Sequence, residues 1–190
     1  MVIKTRDRLI EVARKLFLNK GIENTTMIDI ANASDNGRRT VYSYFKNKSD
    51  IYSAVIERES ENHVKAVKEI AAENISPCDK LEKFINERFN ALTEASKQKE
   101  SILSWLTLDF SKNDKIKKAV YAKEEDIIKS IINEGISSGD FDEYLSTSIP
   151  HTLPIMIRTI WNENKDIADD VAEKNKRAFI SFVLNGLQKH

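Results

Sequence analysis

Residues Thr26 to Asn47, TMIDIANASDNGRRTVYSYFKN, determine how the rest of the chain is interpreted. They contain a short segment with apolar residues at helical spacing (Met27, Ile30 and Ala31), then Asp35-Asn36-Gly37, then a second short segment that mixes arginines with aromatic residues. Aspartate, asparagine and glycine favour tight turns because they tolerate backbone conformations that most residues avoid. Two brief helices joined by a tight turn are typical of a helix-turn-helix.

The second segment, residues 37–45, has the composition expected of a helix that enters the major groove of DNA. Val41 and Phe45 lie four residues apart and can anchor one face of this helix. Arginine can make paired hydrogen bonds to guanine or phosphate, and hydroxyl groups can reach phosphates. An ordinary helical hairpin with solvated arginines is the alternative. The residues predicted to contact DNA are Thr26, Gly37, Arg38, Arg39, Thr40, Tyr42, Ser43, Tyr44, Lys46 and Lys48.

The run from Thr5 to Ile56 resembles the N-terminal domain of TetR-family transcriptional regulators. The resemblance implies an all-α protein of about nine helices, with an N-terminal three-helix helix-turn-helix DNA-binding domain and a C-terminal helical ligand-binding and dimerisation domain. Beyond the first third of the chain, only length and helical character match. The matching positions are Arg6, Leu9, Ala13, Leu16, Phe17, Gly21, Thr26, Met27, Ile30, Ala31, Thr40, Val41, Tyr42, Tyr44, Phe45, Lys48 and Ile51.

The turn departs from the family pattern. The family usually has Gly, an apolar residue and Ser where this chain has Asp35, Asn36 and Gly37. Gly37 caps a helix less well than Ser and has no hydroxyl group for a phosphate. Arg39 replaces a small residue, so the family's base preferences are not carried over to this chain.

The basic residues are concentrated near the N-terminus, although the formal charge of the 190-residue chain is zero. Between Met1 and Lys48, ten basic and five acidic residues give a net charge of +5, and the remainder carries −5. A basic head suggests a polyanionic partner such as double-stranded DNA. The chain is long enough to bury a sizeable core in one or two domains.

Several classes of protein are disfavoured by the sequence. The single cysteine, Cys78, excludes an intrachain disulfide and a multi-cysteine metal site. No apolar run approaches the ~18 residues of a membrane span, and no secretory signal is visible, so we expect a cytoplasmic protein without a membrane partner. No catalytic, cofactor or metal motif is present, which disfavours an enzyme. Glu124-Glu125-Asp126 is interpreted as a solvated helix face.

Helical periodicity, caps and breaks predict the order of the elements. Thr25 or Thr26 is predicted to cap the second helix, with Asp29 as its capping-box partner, and Ser76 to cap the fifth. We predict a DNA-binding domain at 1–47 and a regulatory and dimerisation domain at 48–190, connected by a fourth helix over 47–72. The remaining helices are predicted at about 5–19 with a stop at Gly21, 77–96, 102–110, 114–137, 149–161 and 167–187.

The last two predicted helices carry apolar residues on more than one face, so they need partners on two sides. In the resembled family the equivalent helices pair with their copies from a second subunit. The resemblance therefore implies a homodimer, which suits the reading of two half-sites of a DNA operator. A core formed within one chain is the alternative. The predicted interface residues are Leu153, Met156, Ile157, Ile160, Phe179, Phe182 and Val183.

The resemblance also implies a pocket for a small-molecule effector in the C-terminal domain. Aromatic and polar residues on the corresponding segments are the candidates, although each is also compatible with plain core or surface. The sequence thus predicts a ligand-responsive repressor that binds a palindromic operator as a homodimer. A helical protein-interaction adaptor without DNA binding is the alternative function. The candidate ligand-binding residues are Trp105, Phe110, Tyr121, His151, Met156, Arg158 and Trp161.

Overall fold

The computed structural model describes residues 2–97 and 114–189, and these ranges contain nine α-helices. They are α1 (Val2–Lys20), α2 (Met27–Ala33), α3 (Arg38–Tyr44), α4 (Lys48–Ala71), α5 (Pro77–Lys97), α6 (Asp114–Ser138), α7 (Glu143–Ser146), α8 (Ile149–Asn164) and α9 (Asp169–Leu187). Within the same ranges the β-type pairing is limited to an isolated bridge between Phe141 and Gln188. The predicted all-helical class is confirmed. The segment 102–110, predicted as a helix, lies outside the described residues, and α7 was not predicted.

Local signals set the helix ends. Gly21 has φ +81° and donates its N–H to the Phe17 carbonyl at 3.0 Å, so it ends α1 as predicted. Ser76 caps α5, because its hydroxyl accepts the Asp79 N–H at 3.1 Å. Helix α1 begins at Val2, three residues before the predicted start at Thr5. No helix in the described part of the chain is long and apolar enough to cross a membrane.

The contacts divide the described residues into two units. The first contains residues 2–61 and 94–97, and the second contains residues 62–93 and 114–189. The division falls inside α4, between Glu61 and Asn62. Helix α4, predicted to connect two domains, therefore contributes residues to both units.

In the first unit, α1 packs on α2 and α2 packs on α3. Ion pairs tie α1 to α4: Arg14 Nε lies 2.8 Å from Glu59 Oε1, and Arg58 pairs with Asp7. The small bundle is thus held by a shared apolar core and by charges between its two long helices. The core residues are Leu9, Ile10, Ala13, Phe17, Met27, Ile30, Ala31, Val41, Phe45, Ile51, Ala54, Val55 and Ile56.

In the second unit, α8 packs against both α6 and α9, and α7 contacts the last two helices. The apolar residues of α5 and of these helices supply most of the buried core of this unit. Burial of such side chains is the main source of stability for the unit. The core residues are Val67, Leu81, Phe84, Ile85, Phe89, Leu92, Val120, Ile128, Ile131, Ile132, Phe141, Leu153, Ile157, Trp161, Phe179, Ile180, Val183 and Leu187.

Helix α6 ends in a Schellman motif. Gly139 has φ +83° and donates to the Ile136 carbonyl at 3.1 Å, and Asp140 donates to the Gly135 carbonyl at 2.8 Å. The chain then folds back, and Phe141 packs over Gly135 with only 2% of its surface exposed. A Cβ atom built at position 135 would lie 2.1 Å from Phe141 Cδ2, so this close approach requires glycine.

We predict that Gly135→Ala lowers the free energy of unfolding. Overpacking a core costs about 1–3 kcal/mol, which exceeds the gain of at most ~1 kcal/mol from replacing a helical glycine by alanine. Urea unfolding followed by circular dichroism measures the difference. Asn133→Ala is the control, because Asn133 is exposed on the same helix and this change should not lower stability. Equal or higher stability of Gly135→Ala would contradict the packing described for Phe141.

Candidate nucleic-acid interface

Helix α2 begins with a complete capping box at Thr26. The Thr26 hydroxyl accepts the Asp29 backbone N–H at 3.1 Å, and the Asp29 carboxylate accepts the Thr26 backbone N–H at 2.8 Å. Hydrogen bonds from the Thr26 side chain and backbone, with a smaller effect of the Lys20 charge, lower the pKa of Asp29 from its ordinary value. The predicted capping pair is confirmed, and it fixes where α2 starts.

The turn between α2 and α3 is built on Asp35, which has φ +52°. Asp35 donates its N–H to the Asn32 carbonyl at 3.3 Å, and Asn36 donates to the Ala31 carbonyl at 3.1 Å. These two bonds form a second Schellman motif, whose left-handed position is usually glycine. This geometry explains why a glycine is common here in the family that the sequence resembles. Aspartate can occupy the position at a local cost.

Helix α3 has one buried side and one exposed side. Val41 is fully buried and Phe45, just after the helix, is 4% exposed, so the two predicted anchors lie in the core. Arg38, Arg39, Tyr42 and Ser43 are exposed, and Thr40 and Tyr44 are half-buried. Gly37 precedes the helix without a side-chain cap. The arrangement leaves two arginines and a tyrosine hydroxyl directed at solvent from a short, well-anchored helix.

Several of the predicted DNA contacts are already hydrogen-bonded within the chain. Thr26 donates its hydroxyl to Asp29 Oδ2 at 2.7 Å, and Ser43 donates to the Thr40 carbonyl at 2.7 Å. Lys48 Nζ donates to the carbonyls of Ile22 and Glu23, at 2.6 and 3.2 Å. An ammonium group has three N–H donors, so Lys48 keeps one for a phosphate.

The guanidinium groups of Arg38 and Arg39 and the hydroxyl of Tyr42 have no hydrogen-bond partner within the described residues. They are therefore available to a ligand without breaking an existing contact. A positive charge that can form paired hydrogen bonds suits both phosphate oxygens and guanine. The exposed side of α3 consequently has the chemistry of a surface that binds nucleic acid.

The sequence did not identify Arg8 as part of this region. Arg8 lies on α1, and its Nη2 is 3.2 Å from Asp35 Oδ2 in the turn. The two side chains are 57% and 86% exposed, so the pair contributes little stability, but it places a third arginine beside the helix-turn-helix. Arg8 and Asp35 are 27 positions apart in the sequence, so no local pattern identifies the pair.

The family model for bacterial regulatory proteins of the tetR family matches residues 9–55, which run from α1 into α4. A solved transcriptional regulator from Cytophaga hutchinsonii superposes with a TM-score of 0.78 and 23% identity, over 96% of this chain and 98% of that chain. Residues 9–55 therefore form a DNA-binding domain of the TetR family. The chain is a helix-turn-helix, DNA-binding transcriptional regulator, and the matched family is one of regulators and not of enzymes.

A curated relative and a second solved structure are also similar to this chain. The probable HTH-type transcriptional regulator YttP of Bacillus subtilis (strain 168) is 29% identical over 156 residues, which are 80% of this chain and 73% of YttP. The regulator FadR from Bacillus subtilis, solved in complex with stearoyl-CoA, has a TM-score of 0.66 and 20% identity, over 96% of this chain and 99% of FadR. At such identities the solved structures show the fold alone.

The candidate ligand residues include both buried and exposed side chains. Trp161 is buried and donates its Nε1–H to Thr93 Oγ1 at 3.2 Å, whereas His151 is exposed beside Glu125. Tyr121, Met156 and Arg158 are half-buried. Trp105 and Phe110 lie outside the described residues. The described candidates therefore range from buried to exposed, and their role in ligand binding stays a prediction.

The predicted interface residues also separate into two groups. Leu153, Ile157, Phe179 and Val183 are buried in the core of their own chain, so the fold leaves them little surface for a partner. Phe182 is 71% exposed, and Met156 and Ile160 are half-buried. Periodicity marked both apolar sides of α8 and α9 but did not distinguish the inward side from the outward one.

One interpretation of the sequence was wrong. Glu124, assigned to a solvated helix face with Glu125 and Asp126, is fully buried. Its carboxylate lies close to His63 and Arg88, which come from two other helices. Those partners are far away in sequence, so the charge run alone gave no signal of burial.

We predict that Asp35→Gly is more stable than Asp35→Ala by about 1–2 kcal/mol, because only glycine adopts the left-handed conformation without a steric cost. Both variants lose the Arg8 ion pair, so this contact cancels in the comparison. Thermal and urea unfolding of the two proteins give the difference. Equal stabilities would mean that position 35 does not hold the left-handed turn.

Proposed function

We propose that this protein is a repressor that binds a palindromic operator as a homodimer and responds to a small-molecule effector. The observation that carries the proposal is the exposed side of α3, where Arg38, Arg39 and Tyr42 have no partner within the described residues. A helix of this kind enters the major groove, where arginine distinguishes guanine by a bidentate contact. Occupying an operator blocks transcription, and the DNA partner implies action in the cytoplasm.

Within this proposal the basic residues have two roles. Arg38 and Arg39 begin the recognition helix, where side chains of the motif reach base edges. Lys46 is exposed after α3, and Lys48 keeps one donor at the start of α4, so both suit phosphates. Thr40 and Tyr44, which are half-buried, are the weaker candidates for contacts to DNA.

An apolar surface on the last two helices supports the homodimer. Phe182 is 71% exposed on α9, and Val171, three turns earlier, is 44% exposed. Ile155 on α8 is 46% exposed. Ala178 lies one turn before Phe182 and is also exposed. Val171, Ala178 and Phe182 therefore form an apolar stripe along α9. An exposed apolar surface on two helices fits a two-fold partner, and two-fold symmetry fits a palindromic site.

The effector response is supported by the family and by the division of the chain. FadR, with the same fold, was solved with stearoyl-CoA. In this chain α4 carries residues of both units and is a direct covalent route between them. An effector that binds one arrangement of the dimer more tightly than another shifts the protein toward that arrangement and so changes its affinity for the operator. Such coupling is typically ~1–3 kcal/mol, which changes operator affinity about five- to 150-fold.

We predict that selection from random duplexes yields a two-fold consensus sequence. On that operator, replacing Arg38 or Arg39 by Ala should cost ~1–3 kcal/mol and relax selection mainly at one base position, because a bidentate guanine contact is lost. Fluorescence anisotropy titrations against the operator and a scrambled duplex at several salt concentrations measure both effects.

Lys46→Ala is the matched control, since a phosphate contact carries no sequence information. This variant should weaken binding to both duplexes alike and reduce the salt slope by about one unit. Equal losses on the two duplexes for both arginine variants would refute base recognition by this pair. A consensus without two-fold symmetry would refute the palindromic operator.

We predict that Phe182→Glu converts the dimer into a folded monomer. Loss of one buried phenylalanine costs ~1.5–3 kcal/mol, and a two-fold interface loses it twice, so dimer dissociation should increase on the order of a hundredfold or more. Phe182 is exposed in the single chain, so the fold should survive. Analytical ultracentrifugation with circular dichroism tests this. Tyr144→Glu, at an 87% exposed residue of α7, should stay dimeric. A dimeric Phe182→Glu would exclude this surface.

A further inference from the structure

Three ionisable side chains meet in the interior of the second unit. His63 from α4, Arg88 from α5 and Glu124 from α6 are 7%, 1% and 0% exposed. We call them the buried polar cluster. Charged side chains are almost never fully buried unless they are paired, so their arrangement requires an explanation.

The contacts of the cluster converge on one carboxylate oxygen. His63 Nε2 lies 2.7 Å from Glu124 Oε1, within hydrogen-bond distance. Arg88 Nε lies 3.2 Å from the same oxygen, but its direction does not meet hydrogen-bond geometry. The guanidinium carbon of Arg88 lies 5.5 Å from the ring centroid of Tyr121. Side chains from α4 and α5 therefore both approach Oε1 of Glu124 on α6.

The rest of the cluster is left without partners. Within the described part of the chain, Arg88 Nε, Arg88 Nη1 and Glu124 Oε2 are buried and accept or donate no hydrogen bond. A buried polar group without a partner destabilises the fold, and more strongly when the group is charged. Folded proteins rarely leave such groups unpaired unless a water, an ion or a ligand completes them.

Apolar side chains flank the cluster on each helix. Val120 and Ile128 lie one turn before and after Glu124, and Phe84 and Leu92 lie one turn before and after Arg88. All four are buried, and residues four apart share one side of a helix. A few convergent polar groups in an otherwise apolar wall are the usual composition of a small-molecule site.

We infer that the buried polar cluster binds the polar head of the effector, and that this head is an uncharged group with a donor and an acceptor side by side, such as a carboxamide, on an apolar body. The inference rests on the proposed ligand response and names the chemistry of its site. The head accepts a hydrogen bond from Arg88 Nη1 and donates one to Glu124 Oε2, so two of the three unpaired atoms gain partners together.

The charges of Arg88 and Glu124 favour an uncharged ligand head. The formal charges of Arg88 and Glu124 cancel, so the pair offers no net attraction to an ion. A carboxylate near Arg88 Nη1 would also meet the carboxylate of Glu124, and an ammonium group near Glu124 Oε2 would meet Arg88. Like charges in a buried, weakly screened site repel strongly. A carboxamide avoids both conflicts and supplies the missing donor and acceptor.

The test uses the full chain and three probes with the same ring: benzamide, benzoate and benzylammonium. Each is titrated separately by ligand-observed NMR. We expect benzamide to bind at least tenfold more tightly than the two ions. Arg88→Lys keeps the charge but removes Nη1, and should weaken benzamide binding at least tenfold. Tighter binding of either ion than of benzamide, or no binding of benzamide, would overturn the inference and leave a water as the completing partner.

Glu124→Gln provides a change of specificity that a loss of folding would not produce. The variant replaces the acceptor Oε2 with an amide and leaves the charge of Arg88 uncompensated, so benzoate should now bind more tightly than benzamide. Glu125→Gln is the matched control, because Glu125 neighbours Glu124 in sequence but pairs with the exposed His151. This control should keep the preference for benzamide. An unchanged preference in folded Glu124→Gln would exclude the cluster as the binding site.

Operator affinity measured with and without saturating benzamide separates this inference from the proposed function. If benzamide binds through the cluster and operator affinity does not change, the site stands and the proposed ligand response fails. If benzamide does not bind while a two-fold operator is still selected, the site is wrong and the DNA-binding function stands.

Discussion

The burial of Val41 and Phe45 is the contact on which the recognition surface depends. Helix α3 has seven residues, and an isolated helix of this length is not stable in water. Its conformation therefore comes from the side that packs into the bundle with α1 and α2. Because two apolar anchors suffice for that side, the remaining circumference can carry arginine, tyrosine and serine without any cost to the core.

The features that the sequence predicted well are those with local causes. The capping box at Thr26 involves residues three apart, and the stop at Gly21 requires only a left-handed residue at a helix end. The anchors of α3 follow from a spacing of four. Such signals lie within one or two turns of chain, so the helix order and the helix-turn-helix were predictable with small errors at the ends.

The features that the sequence missed depend on contacts between distant segments. Nothing near Glu124 distinguishes it from Glu125, yet one is buried and the other faces His151 on another helix. Likewise, Phe179 and Phe182 are the same type of residue on the same helix. Only the packing of α9 buries Phe179 and leaves Phe182 exposed. Periodicity identifies which residues are apolar, whereas the neighbouring helices decide which of two apolar sides is inside.

Lys48 has a consequence beyond the binding of DNA. Its ammonium group donates to two main-chain carbonyls in the first half of the α1–α2 connection, so it links that connection to the start of α4. Acetylation of the amine would remove both the charge and most of the donors. Lys46, two residues earlier, is exposed and has no such engagement. Amine-directed reagents should therefore modify Lys46 readily and spare Lys48 for as long as the helix-turn-helix stays folded, so the ratio of the two adducts reports local unfolding of this region.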